Sequence, residues 1–243
     1  MTNRERADRL LVARGLFESR AKAQAAISAG LVTADDRPVR KASDEIARDA
    51  ELKAQHAFPW VSRGGVKLAH ALDRLGIVVE GRVCLDVGAS TGGFTEVLIA
   101  KGAHHVFAID VGRDQLHARL RGRSDVTSLE ETDIRTLAAA TITPAPDVVV
   151  VDVSFISLKL VLPAALRLAA ARSDLVVLVK PQFEVQRRDL KRGVVRDPAV
   201  HAAVCADIAA FIASLGCEVA ATFSSPIDGG DGNREFFIGA QRG

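Results

Sequence analysis

The chain has few of the residues, and none of the long apolar segments, that mark secreted, disulfide-bonded or membrane-embedded proteins. Its 243 residues include three cysteines, one tryptophan and no tyrosine. The cysteines are odd in number and form no C-x-x-C pair, which argues against a disulfide framework and a structural zinc site. No apolar run approaches the roughly 18 residues of a membrane span, and the charged start MTNRERADR does not resemble a secretion signal. We therefore expect a cytoplasmic protein.

The composition is that of a globular protein with local concentrations of positive charge. Hydrophobic residues make up 48% of the chain and charged residues 26%, enough to bury a core. The formal net charge is only +2, yet residues 1–22 hold six basic side chains against three acidic ones, and residues 187–196 hold five against one. Two separated basic segments suit a polyanionic partner better than a small substrate, although solvated surfaces give the same pattern.

The N-terminal part of the chain has a pattern of its own. Apolar residues recur at helical spacing through residues 6–30, and Gly15 and Gly30 stand where two helices would end. Residues 31–39 are typical of a hairpin, and residues 51–54 of a further strand. The predicted organisation is a small α+β domain at 1–56, a linker containing Pro59 and the only tryptophan at 57–63, and a larger domain at 64–243.

The larger part alternates between apolar strands and helices. Near-continuous apolar strands are typical of a parallel sheet that is covered on both faces. The predicted strands are 83–87, 105–110, 126–129, 147–151, 174–179, 217–223 and 235–240, and the predicted helices are 66–75, 92–101, 112–120, 156–170 and 198–214. This pattern predicts an α/β fold, a doubly wound Rossmann-like sheet whose final strand can run antiparallel.

A glycine-rich turn follows the first strand of that sheet. The strand VCLDV runs into GASTGGF and a helix, where glycines admit a ligand to the backbone and the helix N-terminus offers free N–H groups. NAD enzymes share this plan, but the glycine spacing is not G-x-G-x-x-G and favours an S-adenosylmethionine methyltransferase. Asp110 ends the next strand, where a carboxylate can bind ribose hydroxyls, and Asp133 is placed for an adenine edge. The candidate cofactor-binding residues are Asp86, Gly88, Ala89, Ser90, Thr91, Gly92, Gly93, Phe94, Asp110, Asp133 and Asp152.

Four charged residues stand at or near the ends of predicted elements. Asp152 and Lys180 end the fourth and fifth strands, and the carboxyl ends of parallel strands line the ligand crevice. Lys67 stands near the start of the first helix of the sheet domain and Glu235 at the start of the last strand. Singly, each could be a surface charge or a helix cap. Together they predict a catalytic set of two lysines and two carboxylates.

These motifs resemble a known family. The order VSRGGVKL, LDVGASTGGFTEVL, DVSFISL and LVKPQFE is similar to that of FtsJ/RrmJ-type RNA 2′-O-ribose methyltransferases, whose catalytic tetrad would fall on Lys67, Asp152, Lys180 and Glu235. The N-terminal segment resembles the RNA-binding domain of the S-four ribosomal-protein type. The whole chain is similar to TlyA proteins, which implies a ribosomal RNA cytidine 2′-O-methyltransferase. Its length is that of the shorter TlyA type, which is associated with the large subunit, whereas the longer type also modifies the small one.

The resemblance implies S-adenosylmethionine as cofactor and ribosomal RNA or a ribosomal subunit as partner, with no membrane and no metal. The histidines support the last point, since they form no recognisable ligand spacing. Base stacking, if it occurs, would fall to Phe155, Phe183 or Trp60. The predicted RNA-contacting residues are Arg6, Arg14, Arg20, Lys22, Arg63, Arg187, Arg188, Lys191 and Arg192.

Lys180 is the central residue of the expected mechanism. Held between Asp152 and Glu235, it would orient the ribose hydroxyl and, if neutral, accept its proton. A free lysine has a pKa of about 10.4, and neighbouring carboxylates favour its charged form, so we expect positioning first and base catalysis second. Two other classes compete with this enzyme: a non-catalytic RNA-binding or ribosome-assembly module, and a haemolysin-type membrane-active protein, for which the sequence offers no span and no long amphipathic helix.

Overall fold

The smaller of two compact units packs two helices against short antiparallel strands. The computed structural model describes residues 3–186, 190, 192–229 and 232–243, and it divides between Pro59 and Trp60. The first unit contains β1 (Arg4–Arg6), α1 (Ala7–Ala13), α2 (Arg20–Ser28), β2 (Val32–Ala34), β3 (Arg37–Pro38), β4 (Glu45–Ala47) and β5 (Leu52–Ala54). Strand β1 pairs with β4, and β2 pairs with β3 and β5.

Local sequence explains most of this unit. Gly15 and Gly30 follow the two helices with φ of +71° and +72°, the left-handed conformation that commonly ends a helix. Ser19 caps α2 by accepting a hydrogen bond from the Lys22 amide. The predicted helix pair and hairpin are therefore confirmed. Strands β1 and β4 escaped prediction because three residues are too few to show an alternating pattern.

The second unit is a seven-stranded sheet covered by helices on both faces. Its strands are β6 (Val83–Val87), β7 (His105–Ile109), β8 (Val126–Leu129), β9 (Val148–Val151), β10 (Ser173–Val179), β11 (Glu218–Ser224) and β12 (Phe236–Arg242). Its helices are α3 (Arg63–Leu75), α4 (Gly93–Ala100), α5 (Leu158–Leu168) and α6 (Pro198–Ser214), with short 3-10 turns at Ala139–Thr141 and Pro181–Phe183. The predicted doubly wound α/β fold is confirmed.

The strand order is β11-β12-β10-β9-β6-β7-β8. Strands β6, β7, β8, β9 and β10 run parallel to one another, whereas β12 runs antiparallel to both β10 and β11. The chain winds outward in opposite directions from β6 and β9, so their carboxyl ends form the crevice where open α/β sheets bind ligands. Asp152 lies beside the glycine turn, because its amide donates to the Val87 carbonyl at 2.9 Å.

The core is divided between the two faces of this sheet. On one face α5 and α6 cover Leu85, Val149 and Val177; on the other, the cluster includes Leu68 from α3 and Phe94 from α4. The valines of β9 are all buried, as expected of a central parallel strand. Each fully buried large apolar side chain contributes about 1.5 to 3 kcal/mol of transfer free energy. Burial on both faces holds the strand ends in fixed register.

The helix predicted over 112–120 is wrong. This stretch is irregular, and its amides are bound by side chains: the Gly112 amide donates to Asp110, and the Gln115 and Leu116 amides donate to Glu130. Leu116 and Leu120 are both buried, so their four-residue spacing imitates a helical face. Side-chain acceptors that bind nearby amides compete with helix formation.

Candidate functional site

A cleft of about 620 Å³ opens at the carboxyl ends of β6, β7 and β9. That volume is within the range of small-molecule sites. Its walls are partly apolar, through Ile109, Val111 and Ile134, and partly acidic. The predicted cofactor residues that line it are Gly88, Ser90, Asp110, Asp133 and Asp152.

The glycine turn is held in place from two sides. Gly88 has φ of +85° and its backbone lies against Asp152, so a side chain at this position would collide with the Asp152 carbonyl. Asp110 accepts hydrogen bonds from the Ser90 amide at 2.8 Å and from the Gly112 amide at 2.7 Å. One carboxylate therefore organises the turns that follow both β6 and β7.

Several residues that the motif predicted as cofactor contacts lie elsewhere. Phe94 is buried and stacks on Phe237 in the core. Ala89 is buried in a small apolar cluster, and a side chain on Gly92 would strike Leu120. The lining of the cleft does not include six of the predicted residues, namely Asp86, Ala89, Thr91, Gly92, Gly93 and Phe94. Direct contact between these residues and a ligand stays a prediction.

Asp86 is a fully buried carboxyl group beneath this turn. Its Oδ2 accepts a hydrogen bond from the Thr95 hydroxyl at 2.6 Å, while its Oδ1 has no hydrogen-bond partner among the described residues. Burial raises the pKa of Asp86 to about 7, and the charges of Asp152 and Asp110 act in the same direction. The group therefore titrates near neutral pH rather than remaining a fixed anion.

Lys180 and Asp152 form the first charged pair of the site. Lys180 follows β10 and Asp152 follows β9, and their Nζ and Oδ1 atoms lie 2.6 Å apart. This contact is an ion pair and not an aligned hydrogen bond, since Oδ1 lacks a hydrogen-bond partner in the described structure. The lysine directs its hydrogen bond to the Ser154 hydroxyl at 2.8 Å.

Lys67 and Glu235 form the second pair. Lys67 lies in the second turn of α3 and Glu235 immediately before β12, and Nζ donates to Oε2 at 2.5 Å. Both side chains are at least nine-tenths buried, so water screens this pair only weakly. Glu235 is paired with Lys67 and Lys180 with Asp152, so the placement of Lys180 between Asp152 and Glu235 stays a prediction.

All four residues nevertheless reach one edge of the sheet. Val179 pairs with Phe236 in the β10–β12 ladder, so Lys180 and Glu235 are the next residues on those strands. The cleft is also lined by residues that were not predicted, and one of them accepts the hydrogen bond from Lys180: these residues are Gln115, Thr132, Val153 and Ser154. Ser154 could have been found from its position three residues beyond a strand end.

The predicted RNA-contacting residues of the first unit take part in internal contacts. Arg6 and Arg20 both bind the buried Asp8 carboxylate, with shortest distances of 3.1 and 2.7 Å. Lys22 is buried and pairs with Glu18 at 2.6 Å, and Arg14 donates to the Arg48 carbonyl. RNA contact by these residues stays a prediction, and Lys22 is less accessible than the sequence indicated.

The remaining predicted RNA contacts belong to the second unit. Arg63 donates to the Asp228 carbonyl at 2.8 Å, and Arg192 is exposed with φ of +55°. Arg187, Arg188 and Lys191 lie outside the described residues. Asp133, predicted for an adenine edge, lines the cleft but is paired with Arg135 at 2.6 Å.

Comparison with known proteins identifies the family. Residues 60–242 match the model of the FtsJ-like methyltransferases, and residues 5–52 match the S4 domain. The chain belongs to the FtsJ-like methyltransferase family. Within this family it is 45% identical to the 16S/23S rRNA (cytidine-2′-O)-methyltransferase TlyA of Mycobacterium tuberculosis, over 98% of this chain and 90% of that protein.

Two further proteins are similar to this chain. The chain is 38% identical to the 23S rRNA (cytidine-2′-O)-methyltransferase TlyA of Campylobacter jejuni, over 73% of this chain and 69% of that protein. A solved structure from Streptococcus thermophilus that carries the name hemolysin matches with a TM-score of 0.79 and 39% identity, over 100% of this chain and 90% of the other. The sequence prediction of an FtsJ and TlyA resemblance is confirmed.

The described residues contain neither a membrane-spanning helix nor a cluster of metal ligands. In the part of the chain that the structure describes, no helix is long and apolar enough to cross a membrane. Across the same residues, no group of three or more His, Cys, Asp or Glu side chains is arranged to hold a metal ion.

Proposed function

We propose that this protein transfers a methyl group from S-adenosylmethionine to the ribose 2′-OH of a cytidine in ribosomal RNA. The observation that carries the proposal is the pair of Lys–carboxylate contacts, Lys180–Asp152 and Lys67–Glu235, at the sheet edge beside the cleft. The names of the TlyA relatives support the cytidine and the 2′-oxygen as target. Both names include 23S rRNA, which supports the large subunit as the first substrate, with the small subunit as a second.

The cleft fits S-adenosylmethionine by its chemistry. The ligand is cationic at its sulfonium and ammonium groups and apolar at its adenine, and the cleft combines the Asp110 and Asp152 carboxylates with apolar side chains. Asp152 lines this cleft while its Oδ1 pairs with Lys180. Asp110 and the glycine turn at Gly88 would hold the nucleoside, and Asp152 the positively charged end. When bound, the cofactor supplies a methyl group on an activated sulfur leaving group.

The protein residues then act on the ribose hydroxyl. Lys180 is fixed by Asp152 and Ser154, so its ammonium group can orient the hydroxyl oxygen toward the methyl group. The Lys67–Glu235 pair would stabilise the same sheet edge and give Glu235 a fixed position from which to accept a hydrogen bond. Positioning of this kind is the main contribution we assign to the set. Proton removal by Lys180 is the second, and it requires the neutral amine, which accepts the hydroxyl proton as the oxygen bonds to the methyl group and the sulfur leaves.

RNA binding would extend beyond the cleft. The S4 domain match supports RNA contact by the first unit, and the exposed Arg192 and the neighbouring basic segment support contact near the site. Phosphate contacts make such binding sensitive to salt. A ribosomal RNA substrate in turn places the protein in the cytoplasm.

Methyl transfer to separated ribosomal subunits tests the proposal. Large and small subunits that lack the modification are incubated with radiolabelled S-adenosylmethionine and either wild-type protein, Lys180→Ala or Lys159→Ala. Lys159 is the matched control, because it forms an exposed pair with Asp207 at 2.7 Å on another part of the surface. We expect label in alkali-resistant dinucleotides with wild type and Lys159→Ala and none with Lys180→Ala. Absence of label with wild type on either subunit and on free RNA would overturn the proposal in favour of a non-catalytic RNA-binding module.

A further inference from the structure

Glu184 binds a neighbouring segment with both of its carboxylate oxygens. It follows the Pro181–Phe183 turn, four residues after Lys180. Its Oε2 accepts a hydrogen bond from the Ser157 hydroxyl at 2.6 Å, and its Oε1 accepts one from the Leu158 amide at 2.8 Å. Ser157 is the N-cap of α5, so the acceptor lies at a helix N-terminus, where a negative charge is favourable.

These bonds join the two segments that carry the first charged pair of the site. We call residues 152–158 the aspartate segment, since it begins at Asp152 and leads from β9 into α5. Residues 180–184 are the lysine segment, since it begins at Lys180 and follows β10. Both segments leave adjacent parallel strands, so without further contacts each would be free to move apart beyond the last ladder hydrogen bond.

Three contacts connect the segments along their length. Lys180 binds Asp152 and Ser154 at one end, and the rings of Phe155 and Phe183 lie 4.9 Å apart in the middle. Glu184 closes the far end. Only the contact made by Glu184 combines a charge with two hydrogen bonds to a helix start, and such charge-assisted bonds are the strong ones.

The aspartate segment needs this anchor because its backbone is strained. Phe155 has φ of +65°, a left-handed conformation that is unfavourable for a bulky side chain, and it is 90% exposed. Its own burial therefore cannot hold it there. Strained residues persist only where their surroundings fix them, and Glu184 fixes the residues that immediately follow Phe155.

We propose that Glu184 is a positioning residue for methyl transfer, which holds Lys180 in register with Asp152 and Ser154. The inference rests on the proposed function of Lys180. A lysine side chain has a flexible four-carbon stem, so its pair with Asp152 does not by itself fix the distance between the two segments. Since a displacement of about 1 Å at a reacting group can lower the rate by about 100-fold, the separation of the two segments must be fixed by more than the pair itself.

A bridging role and a simple helix-capping role give different results. Glu184→Ala removes both bonds, and we expect kcat to fall about 10- to 100-fold. The KM for S-adenosylmethionine should change much less than kcat, because Asp110 and the glycine turn, which would hold the nucleoside, are untouched. Glu184→Gln keeps the length and one acceptor and is expected to recover most of kcat. Asp197→Ala is the matched control: it removes the side-chain cap of α6, a bond of 2.8 Å to the Ala199 amide, and should lower thermal stability without lowering kcat.

The decisive comparison uses Ser157→Ala and the double variant with Glu184→Ala. If the two residues act through one bridge, the double variant loses about as much kcat as Glu184→Ala alone. The inference is overturned if Glu184→Ala keeps wild-type kcat, or if its loss of kcat is matched by Asp197→Ala at equal loss of stability. An inactive wild type would instead refute the proposed function, so the two failures are distinguishable.

Discussion

Lys67 and Glu235 are 168 residues apart in the chain, yet their Nζ and Oε2 atoms lie 2.5 Å apart in a buried ion pair. Removal of one partner leaves the other as an uncompensated buried charge, whereas replacement of both by apolar groups can be nearly neutral. Stability and activity therefore respond differently to changes at this pair.

Glu235→Gln should lower the free energy of unfolding by about 3 to 5 kcal/mol, because the buried Lys67 cation loses the carboxylate with which it pairs. The double change Lys67→Met with Glu235→Leu should restore most of that stability and still lack methyl transfer. Urea unfolding and transfer of radiolabel on the same preparations check both statements. A double variant that is as unstable as Glu235→Gln would contradict the argument.

Lys180→Ala should separate chemistry from cofactor binding. Its Nζ contacts Asp152 and Ser154 and no described residue of the glycine turn, so we expect methyl transfer to be lost while the Kd for S-adenosylmethionine changes by less than about twofold. Calorimetric titration of both proteins measures the second quantity. Loss of cofactor affinity together with activity would mean that Lys180 is part of the cofactor site.

Asp86 should make the second unit less stable as the pH rises. Its pKa is raised to about 7 by burial, whereas in the unfolded chain it is about 3.9, so between these values the folded state holds a proton that the unfolded state has lost. Stability falls across this window and is level above it. Relative to Asp86→Asn, wild type should lose as much as about 4 kcal/mol between pH 4 and pH 8. Urea unfolding of both proteins at several pH values measures the difference, and a constant difference would mean that Asp86 is ionised throughout.

Asp8 should have the opposite dependence in the first unit. Burial alone would raise its pKa, but hydrogen bonds from Arg6, Arg20 and Gln24 outweigh that effect and lower the pKa below the usual value. The stabilisation is present above about pH 4 and is lost progressively as the pH falls from there toward the lowered pKa of the folded state. Asp8→Asn should therefore cost about 1 to 3 kcal/mol at pH 7 and less at pH 3. Hydrogen exchange of amides in residues 4–54 of the whole protein reports this locally, and an equal cost at both pH values would argue against it.

Gly88→Ala should damage the cleft and the fold together. The new methyl group would strike the Asp152 carbonyl, and φ of +85° is itself unfavourable for alanine. We expect weaker binding of S-adenosylmethionine and a lower melting temperature. Gly122→Ala is the control, because its φ is +80° but nothing lies within 4 Å of the added atom. If both variants bind the cofactor equally well, the contact with Asp152 is not what limits the cleft.

The strands of the larger domain could be predicted because each is a buried apolar run with a strong local signal. Val148–Val151 shows this most clearly. The false helix at 112–120 arose from the opposite situation, in which Leu116 and Leu120 had helical spacing but distant Glu130 and nearby Asp110 bound the amides. The local pattern could not reveal that Glu130, which follows β8, accepts hydrogen bonds from these amides.

The candidate site was only partly accessible to such reasoning. Strand ends pointed to Asp152 and Lys180, and the starts of the first helix and the last strand pointed to Lys67 and Glu235. The family resemblance then implied that the four form a catalytic tetrad. The pairing of Lys67 with Glu235 depends on how α3 lies beside the start of β12, and the spacing of apolar residues in the sequence does not show this. Glu184 was missed for the same reason, since its partners at the start of α5 are 26 and 27 residues away.

The position of β12 in the sheet has a consequence for synthesis of the protein. β12 lies between β10 and β11 and pairs with both, although it follows both of them in the sequence. Until residues 236–242 have been translated, β10 and β11 cannot be joined, and Lys67 has no Glu235 to pair with. A nascent chain therefore carries an open sheet and an unfinished site. The pairing of Lys67 with Glu235, and with it the candidate site, is completed only after residue 235 has been translated.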